Sequence, residues 1–274
     1  MPEGDTIHKI ARFLAPRLEG RTIRAVDMAD PAAAKRCAGR EVRAVRARGK
    51  HLYIALDNAL ALRSHLGMHG AWHFYAPGAD WRKPRRQASL VVTTDTECFV
   101  CFNAKEVELV ADPSVRRRVL DTRLGPDLVD DDVAPDELVR RARAMMDPQD
   151  LVGDVLLDQR VAAGIGNVYK SEVLFVERVS PFSRLGDLAD RRLAACYATA
   201  ADLLRRNLGG GRRVTRFERD GAGRLWVYRR EGMPCLCCDG RIEAKRLGRH
   251  HRGTYWCPRC QPLQASDQAE RNGA

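Results

Sequence analysis

Two short stretches near the end of the 274-residue chain, Cys235-Leu236-Cys237-Cys238 and Cys257-Pro258-Arg259-Cys260, determine the local fold there. Each contains a C-x2-C pair, and 18 residues separate the two pairs. This spacing is typical of a tetrahedral four-cysteine zinc ribbon, in which each pair lies on a tight turn and the residues between the pairs form a hairpin. The sequence therefore predicts one structural zinc ion (Zn2+) with four thiolate ligands, Cys235, Cys238, Cys257 and Cys260.

Three other residues near these cysteines could in principle bind the metal. Cys237 could replace Cys238, but the first pair would then have the spacing C-x-C, which is less usual. His250 and His251 lie between the pairs, and we expect them on the surface because four thiolates already complete the zinc shell.

The hairpin expected between the cysteine pairs is basic. It contains Arg241, Lys245, Arg246, Arg249 and Arg252 against only Asp239 and Glu243. A rigid hairpin with this excess of positive charge suits binding to phosphates. A purely structural ribbon with a solvated basic face is the alternative, and the sequence leaves both open.

The composition of the whole chain agrees with a polyanionic partner. Lysine and arginine outnumber aspartate and glutamate by 47 to 36, a formal charge of +11, and nucleic acid is the first candidate. The sequence has no apolar run of about 18 residues and no signal-peptide pattern, so we expect a cytoplasmic protein that does not enter a membrane. In that compartment the nine cysteines indicate metal or thiol chemistry rather than disulfides.

The periodicity of apolar residues predicts a mixed α+β chain with more than one domain. A helix is expected over Thr6–Leu18, capped by Asp5 or Thr6, and a β sandwich or barrel over residues 21–111. The predicted strands include Thr22–Val26, His51–Leu56, Ala71–Tyr75, Leu90–Thr94 and Cys98–Phe102. An acidic connector runs into a helix over residues 126–149, helical periodicity continues over residues 151–208, and the last residues are polar.

Gly164, Gly166 and Asn167 lie where one helix is expected to give way to the next. A turn of this kind exposes backbone N–H groups beside an amide side chain and can bind a phosphate. The glycines can equally close one helix while Asn167 caps the following one, without any ligand. Both interpretations can hold together.

Pro2-Glu3 follows the initiator methionine. If Met1 is removed, which the small Pro2 favours, a secondary amine becomes the neighbour of a carboxylate. A terminal amine titrates near ~8, against ~10.4 for lysine, so part of it is unprotonated at neutral pH and can attack an electrophilic carbon to form an iminium. The alternative is an ordinary solvated terminus.

Several motifs occur together in one order. They are Pro2-Glu3-Gly4-Asp5, Arg48-Gly49-Lys50-His51-Leu52, Ser64-His65-Leu66-Gly67-Met68, Leu124-Gly125-Pro126-Asp127-Leu128, the 164–169 turn, and Tyr255-Trp256-Cys257-Pro258-Arg259-Cys260-Gln261. This order resembles the formamidopyrimidine-DNA glycosylase and endonuclease VIII family over nearly the whole chain. The opening Pro-Glu-Gly-Asp-Thr and the Cys-Phe-Asn-Ala stretch from Cys101 are more similar to the endonuclease VIII branch.

The resemblance implies a particular domain organisation. It comprises an N-terminal catalytic β-sandwich domain with an N-terminal helix (1–125), a helix-two-turn-helix DNA-binding domain (126–222), a four-cysteine zinc finger (223–261) and a disordered tail (262–274). Members of the family bind damaged DNA between their domains and flip the lesion out of the duplex. The implied partner is therefore damaged DNA, bound by a monomer that associates with the nucleoid.

The resemblance also implies residue roles. Pro2 would attack C1′ of the flipped nucleotide, and Glu3 would transfer protons during ring opening and elimination. Lys50 would bind a phosphate and donate a proton in strand cleavage, and Arg252 would grip the phosphates beside the lesion and assist the second elimination. DNA contacts would come from Met68, which fills the vacated space, and from Arg123 and Asn167.

These roles predict a bifunctional DNA glycosylase and apurinic/apyrimidinic lyase of base excision repair that cuts by β,δ-elimination. Substrate choice is less determined, because the filling positions of the endonuclease VIII branch fall on Gly67, Met68 and His69, and Gly67 has no side chain to insert. The Arg-Arg-Phe-Gly stretch of the formamidopyrimidine branch is absent from the sequence. Oxidised pyrimidines are favoured, with oxidised purines as the alternative. A zinc-ribbon protein that binds abasic or bent DNA without cutting it is the alternative from another class.

Overall fold

A computed structural model describes residues 1–112 and 124–263 of the chain. The chain divides into two compact units, Met1–Thr122 and Arg123–Ala274. The finer division of the second unit at residue 222 stays a prediction. Of the predicted disordered tail, only Pro262 and Leu263 lie within the described residues.

Within residues 1–112, the first unit has two antiparallel four-stranded sheets and two α-helices. The helices are α1 (Gly4–Leu18) and α2 (Pro31–Cys37), and the strands are β1 (Ala25–Met28), β2 (Val42–Arg48), β3 (His51–Leu56), β4 (Leu60–His65), β5 (Ala71–Tyr75), β6 (Ala88–Thr93), β7 (Cys98–Phe102) and β8 (Glu106–Ala111). One sheet has the order β1-β6-β7-β5 and the other β2-β3-β4-β8. The predicted α+β class and N-terminal sandwich are confirmed.

The core of the first unit lies between the sheets and under α1. Apolar residues of α1 at helical spacing, such as Ile7 and Leu14, are buried together with Ile54 of one sheet and Val92 and Phe99 of the other. Because α1 packs against β2 and β3, its start is held in a fixed place relative to the turn between those strands. Burial of each such side chain stabilises the unit by about 1.5–3 kcal/mol.

The start of α1 differs from the expectation. The N-cap is Glu3, in an extended conformation, and its carbonyl oxygen accepts the backbone N–H groups of Thr6 and Ile7. The predicted cap by Asp5 or Thr6 is wrong, because the helix begins at Gly4 and both residues already lie inside it. The buried Asp5 carboxylate lies 3.8 Å from the ammonium group of Lys9 one turn later.

The second unit contains four helices and one hairpin within the described residues. They are α3 (Pro135–Met145), α4 (Val152–Leu157), α5 (Asn167–Val176), α6 (Asp190–Arg206), β9 (Glu243–Leu247) and β10 (Arg252–Trp256). The predicted hairpin between the cysteine pairs is confirmed, with Arg252 opposite Leu247. None of the described helices is long and apolar enough to span a membrane.

The helical region is more interrupted than its periodicity suggests. Helix α4 ends at Leu157, and a turn over residues 158–166 separates it from α5. The side chain of Gln159 closes this turn, since it donates to the carbonyl groups of Leu157 and Ile165 and accepts the N–H of Gly164. These bonds replace the hydrogen bonds that a continuing helix would make. Gly166 is the N-cap of α5, so the predicted cap at Asn167 is off by one residue.

A buried glutamate joins α5 to the segment that leads into the cysteine cluster. Glu172 is fully buried and accepts the backbone N–H groups of Trp226, Val227 and Tyr228 at 2.7–2.9 Å, as well as the hydroxyl group of Thr215. Burial raises the pKa of Glu172, and the four donors oppose that rise. A single side chain thus fixes both ends of the 215–228 segment.

Candidate functional site

The predicted nucleophile and its neighbouring acid lie at the start of α1. Pro2 is partly exposed, whereas the side chain of Glu3 is fully buried at the N-cap position. Backbone N–H groups at the start of a helix create a region of positive potential. The structure therefore places a partly exposed residue and a buried carboxylate side by side at a positively polarised helix end.

Lys50 lies in the two-residue turn that joins β2 to β3. Arg48 and His51 form the last pair of this hairpin, and Gly49 has a φ angle of +56°. Glycine is favoured at the first position of such a turn because a side chain strains that conformation. Lys50 is half-buried at the end of the hairpin against which α1 packs.

His51, next to Lys50, lies in a pair of histidines. The rings of His51 and His65 are 4.9 Å apart, and Nη1 of Arg63 lies 3.3 Å from Nδ1 of His51. Because a guanidinium group can only donate, this nitrogen must accept and the ring is neutral. Burial lowers the pKa of His51 to about 3, and the nearby His65, Arg63 and Lys50 add to this effect. Burial also lowers the pKa of His65.

Met68 lies at the tip of a tight turn between β4 and β5. The N–H of Gly70 bonds to the carbonyl of Leu66, and Gly67 has a φ angle of +61°. A side chain at position 70 would collide with the backbone of Leu66, so the turn requires glycine there. This turn presents Met68 to solvent with half of its surface exposed.

The four predicted metal ligands come together in the second unit. The sulfur atoms of Cys235, Cys238, Cys257 and Cys260 all lie within 4.8 Å of one another. The distance is 3.8 Å between Cys235 and Cys260 and 3.4 Å between Cys238 and Cys257. A tetrahedral site with zinc–sulfur bonds of about 2.3 Å requires sulfur atoms about 3.8 Å apart, so the cluster fits such an ion.

The surroundings of the cluster favour Cys238 over Cys237 as a ligand. Cys237 is exposed and lies outside the cluster. The pKa of Cys238 is lowered to about 7, mainly because the backbone of Gly240 donates a hydrogen bond to it. The lower pKa favours the thiolate form that metals bind. His250 and His251 are exposed, as the sequence predicts.

Asn167 and Arg252 are brought together by the hairpin. The amide nitrogen of Asn167 donates to the carbonyl of Gly253 at 2.7 Å, directly beside Arg252 in β10. Asn167 is 6% exposed, and Arg252 is exposed at the start of the strand. The predicted contact residue Arg123 lies outside the described residues.

The basic residues of the hairpin are on the surface, whereas some of those before it are not. Arg241, Lys245, Arg246, Arg249 and Arg252 are all exposed. Arg216, which precedes the hairpin, is only 5% exposed; it pairs with Asp220 and lies over the ring of Trp226. The guanidinium group of Arg216 is therefore paired within the 215–228 segment.

Three buried polar residues that connect α5 to the parts of the unit around it are not among the residues predicted from the sequence, namely Lys170, Glu172 and Thr254. One signal was available. Lys170 and Glu172 are the charged residues of α5, whose other residues are mostly apolar, and charged residues on a buried helix are rarely left without a partner.

The profile of the formamidopyrimidine-DNA glycosylase N-terminal domain matches residues 1–123, and that of the H2TH domain of the same proteins matches residues 124–218.

Two relatives and one solved structure are similar over nearly the full length. The "Probable endonuclease 8 2" of Streptomyces coelicolor is 37% identical, covering 100% of this chain and 98% of that protein. The "DNA-(apurinic or apyrimidinic site) lyase Nei2" of Mycolicibacterium smegmatis is 36% identical, covering 95% and 99%. The complex between the Lactococcus lactis Fpg and an abasic site containing DNA has a TM-score of 0.80 at 22% identity, covering 96% and 100%; this likeness shows the fold alone.

The state of His51 gives a prediction for the pH dependence of stability. Its folded pKa of about 3 is below the unfolded value of about 6.5, so the unfolded chain binds more protons between these values. We expect the first unit to lose about 1–2 kcal/mol of stability from pH 7 to pH 5 through this group, and His51→Gln to reduce that loss. Urea denaturation followed by NMR signals of the first unit measures both. A His51 ring that titrates near pH 6.5 in the folded protein would contradict the prediction.

Proposed function

The chain belongs to the formamidopyrimidine-DNA glycosylase and endonuclease VIII family, and from that premise we propose that it excises oxidised pyrimidines from DNA and then cuts the strand by β,δ-elimination. The observation that carries this proposal is the position of Pro2 and Glu3 at the start of α1. The family consists of DNA glycosylases that are also DNA-(apurinic or apyrimidinic site) lyases.

In the proposed first step, Met1 has been removed and the amine of Pro2 attacks C1′ of the flipped nucleotide. The new C–N bond displaces the damaged base, which leaves with the electrons of the glycosidic bond and takes up a proton. Loss of the ring oxygen from C1′ opens the sugar and gives an iminium that links Pro2 to the DNA. The positive end of the α1 dipole disfavours a protonated amine at this place and thereby supports nucleophilic attack.

Glu3 and Lys50 are the proposed proton-transfer groups. The buried Glu3 carboxyl adjoins the amine and can donate a proton to the ring oxygen as the sugar opens. Lys50 projects from the turn of the hairpin that supports α1, where an ammonium group can bind a phosphate and protonate a leaving oxygen.

The proposed contacts to the phosphates of the DNA backbone come from the second unit. Arg252 can form two parallel hydrogen bonds to a phosphate beside the lesion and offset the charge that develops in the second elimination. The N-terminus of α5 at Asn167 offers backbone N–H groups to a neighbouring phosphate. Met68 is proposed to fill the vacated space between bases because its thioether is flexible and exposed. A DNA contact by Arg123 stays a prediction.

One structural zinc ion is proposed for the four-cysteine cluster. When bound, it would hold the two knuckles together and so stabilise the hairpin that carries Arg252. No step of the reaction passes through this ion.

The preference for pyrimidines rests on the relatives. Those that are 36–37% identical are named endonuclease 8 and apurinic or apyrimidinic site lyase. The opening Pro-Glu-Gly-Asp-Thr points to the same branch.

We predict that excision requires a free amine on Pro2. Untagged protein should form a covalent adduct with an abasic duplex in the presence of borohydride, whereas a fusion that leaves residues ahead of Pro2 should lose at least about 100-fold in excision rate. A matched fusion at the C-terminus serves as the control, and binding to an uncleavable abasic analogue should persist in both. Full turnover by protein that mass spectrometry shows to retain Met1 would rule out the Pro2 assignment.

The lesion preference has a separate test. Base release from thymine glycol duplexes should exceed release from 8-oxoguanine duplexes by at least about 10-fold in kcat/KM, which corresponds to about 1.4 kcal/mol of transition-state discrimination. Comparison of single-turnover rates under identical salt measures this ratio. A higher rate on 8-oxoguanine would replace the pyrimidine preference with a purine one and leave the proposed reaction intact.

The zinc proposal is tested by a matched pair of cysteine variants. Cys238→Ser should lose the metal and lower the melting temperature, whereas Cys237→Ser, a change at the neighbouring exposed cysteine, should keep one zinc per chain. Elemental analysis of the purified proteins and thermal unfolding measure the two effects. Equal metal content in both variants would show that Cys238 is not a ligand.

A further inference from the structure

We propose that Lys170 and Thr254 are positioning residues that hold the backbone of Arg252 in place for the second elimination step. The proposal rests on the function proposed above, in which Arg252 grips a phosphate beside the lesion. Neither residue touches the substrate in this account. Both act through the β10 backbone.

The first contact is a buried hydrogen bond between α5 and β10. Nζ of Lys170 lies 2.7 Å from Oγ1 of Thr254, and each residue is 2% exposed. The same threonine hydroxyl donates to the carbonyl oxygen of Arg252 at 3.2 Å. Lys170 is therefore connected to the backbone of Arg252 through a single hydroxyl group, which accepts from the ammonium group and donates to the carbonyl.

The second contact is made one helical turn earlier. Asn167 donates its side-chain amide to the carbonyl of Gly253 at 2.7 Å. Three consecutive residues of β10 are thus tied down, namely Arg252 through its carbonyl, Gly253 through its carbonyl and Thr254 through its hydroxyl. On the other side, Arg252 pairs with Leu247 of β9.

The tip of the hairpin is anchored as well. The backbone N–H of Arg249 donates to the carboxylate of Asp154 in α4 at 2.9 Å, and the Arg249 side chain pairs with Asp150. A side chain at position 248 would overlap the Asp154 carboxylate, so Gly248 is needed for this approach. The hairpin is consequently fixed at its tip, before Arg252 in the sequence, and at Gly253 and Thr254 directly after it.

The chemistry of Lys170 argues for a positional role. Burying an ammonium group costs several kcal/mol, and an apolar residue of similar length would avoid this cost on the buried α5. A buried charged hydrogen bond does, however, fix one register between two elements, since a shift of either element breaks this bond. Misplacing a catalytic group by about 1 Å can cost about 100-fold in rate.

A loss of this bond should affect the second elimination more than the first steps. The covalent step depends on Pro2, which belongs to the other unit, whereas the proposed role of Arg252 lies in the second elimination. A variant that loosens β10 should therefore accumulate the β-elimination product while its covalent trapping is preserved. A residue that only stabilised the fold would lower all steps together, in proportion to the folded fraction.

The experiment compares two substitutions at Thr254. Thr254→Val keeps the shape and removes the hydroxyl, and Thr254→Ser keeps the hydroxyl. On an abasic duplex under single-turnover conditions, we expect Thr254→Val to lower the ratio of δ- to β-elimination product at least 5-fold, and Thr254→Ser to restore it to within 2-fold of the wild type. Lys170→Met should reproduce the Thr254→Val ratio, with borohydride trapping in both variants within 2-fold of the wild type.

A variant elsewhere in the same unit is the control for the loss of a threonine hydroxyl. Thr199 bonds through its hydroxyl to Glu177, away from β10, so Thr199→Val should leave the product ratio unchanged. If Thr254→Val keeps the wild-type ratio while Arg252→Ala loses it, the positioning proposal is wrong and the function stands. If wild-type protein neither traps nor cleaves the duplex, the proposed function fails first. If Lys170→Met does not fold, Thr254→Val against Thr254→Ser still decides the matter.

Discussion

Helix α5 is buried on nearly every side, and this constraint shapes the second unit. Its polar side chains are shielded from water, and three of them are bonded to other parts of the protein. Glu172 bonds to the segment before the cysteine cluster, Asn167 and Lys170 bond to β10, and Phe175 packs in the small core with Val227, Cys235 and Cys257. The whole four-cysteine region is therefore built onto one helix.

This arrangement explains how a segment with little apolar area of its own can be rigid. The core around the cysteines contains only five buried apolar residues, too few to order an exposed basic hairpin by burial alone. Buried polar contacts to α5 supply the missing constraints, and a metal ion in the sulfur cluster would add to them. The exposed arginines can then repel one another without displacing the strand that bears them.

Much of the fold could be predicted from the sequence. Strands β3, β5 and β7 have the predicted bounds, because each is a short run of apolar or aromatic residues between turn-forming residues. Strand β2 is harder to recognise because its arginines, at 43, 46 and 48, break up the apolar pattern, and in β8 Glu106 and Glu108 do the same. The predicted Thr22–Val26 strand lies later, at Ala25–Met28, since Thr22 pairs instead with Glu41. The bounds and register of such a strand depend on pairing partners that are distant in sequence.

The residues of the site also differ in how easily they can be recognised from the sequence. Cys235, Cys238 and the start at Pro2-Glu3 are recognisable because their chemistry requires fixed spacing along the chain. Lys170 and Thr254 are 84 residues apart, and nothing in either neighbourhood indicates the other. A residue that takes part in the chemistry can thus be recognised by its own type and spacing. A residue that positions it can be recognised only together with its hydrogen-bond partner. Glu172 is the clearest example of a residue whose partners the sequence does not indicate. Its four donors come from Thr215 and from the backbone of three further residues, and backbone donors leave no trace in sequence at all.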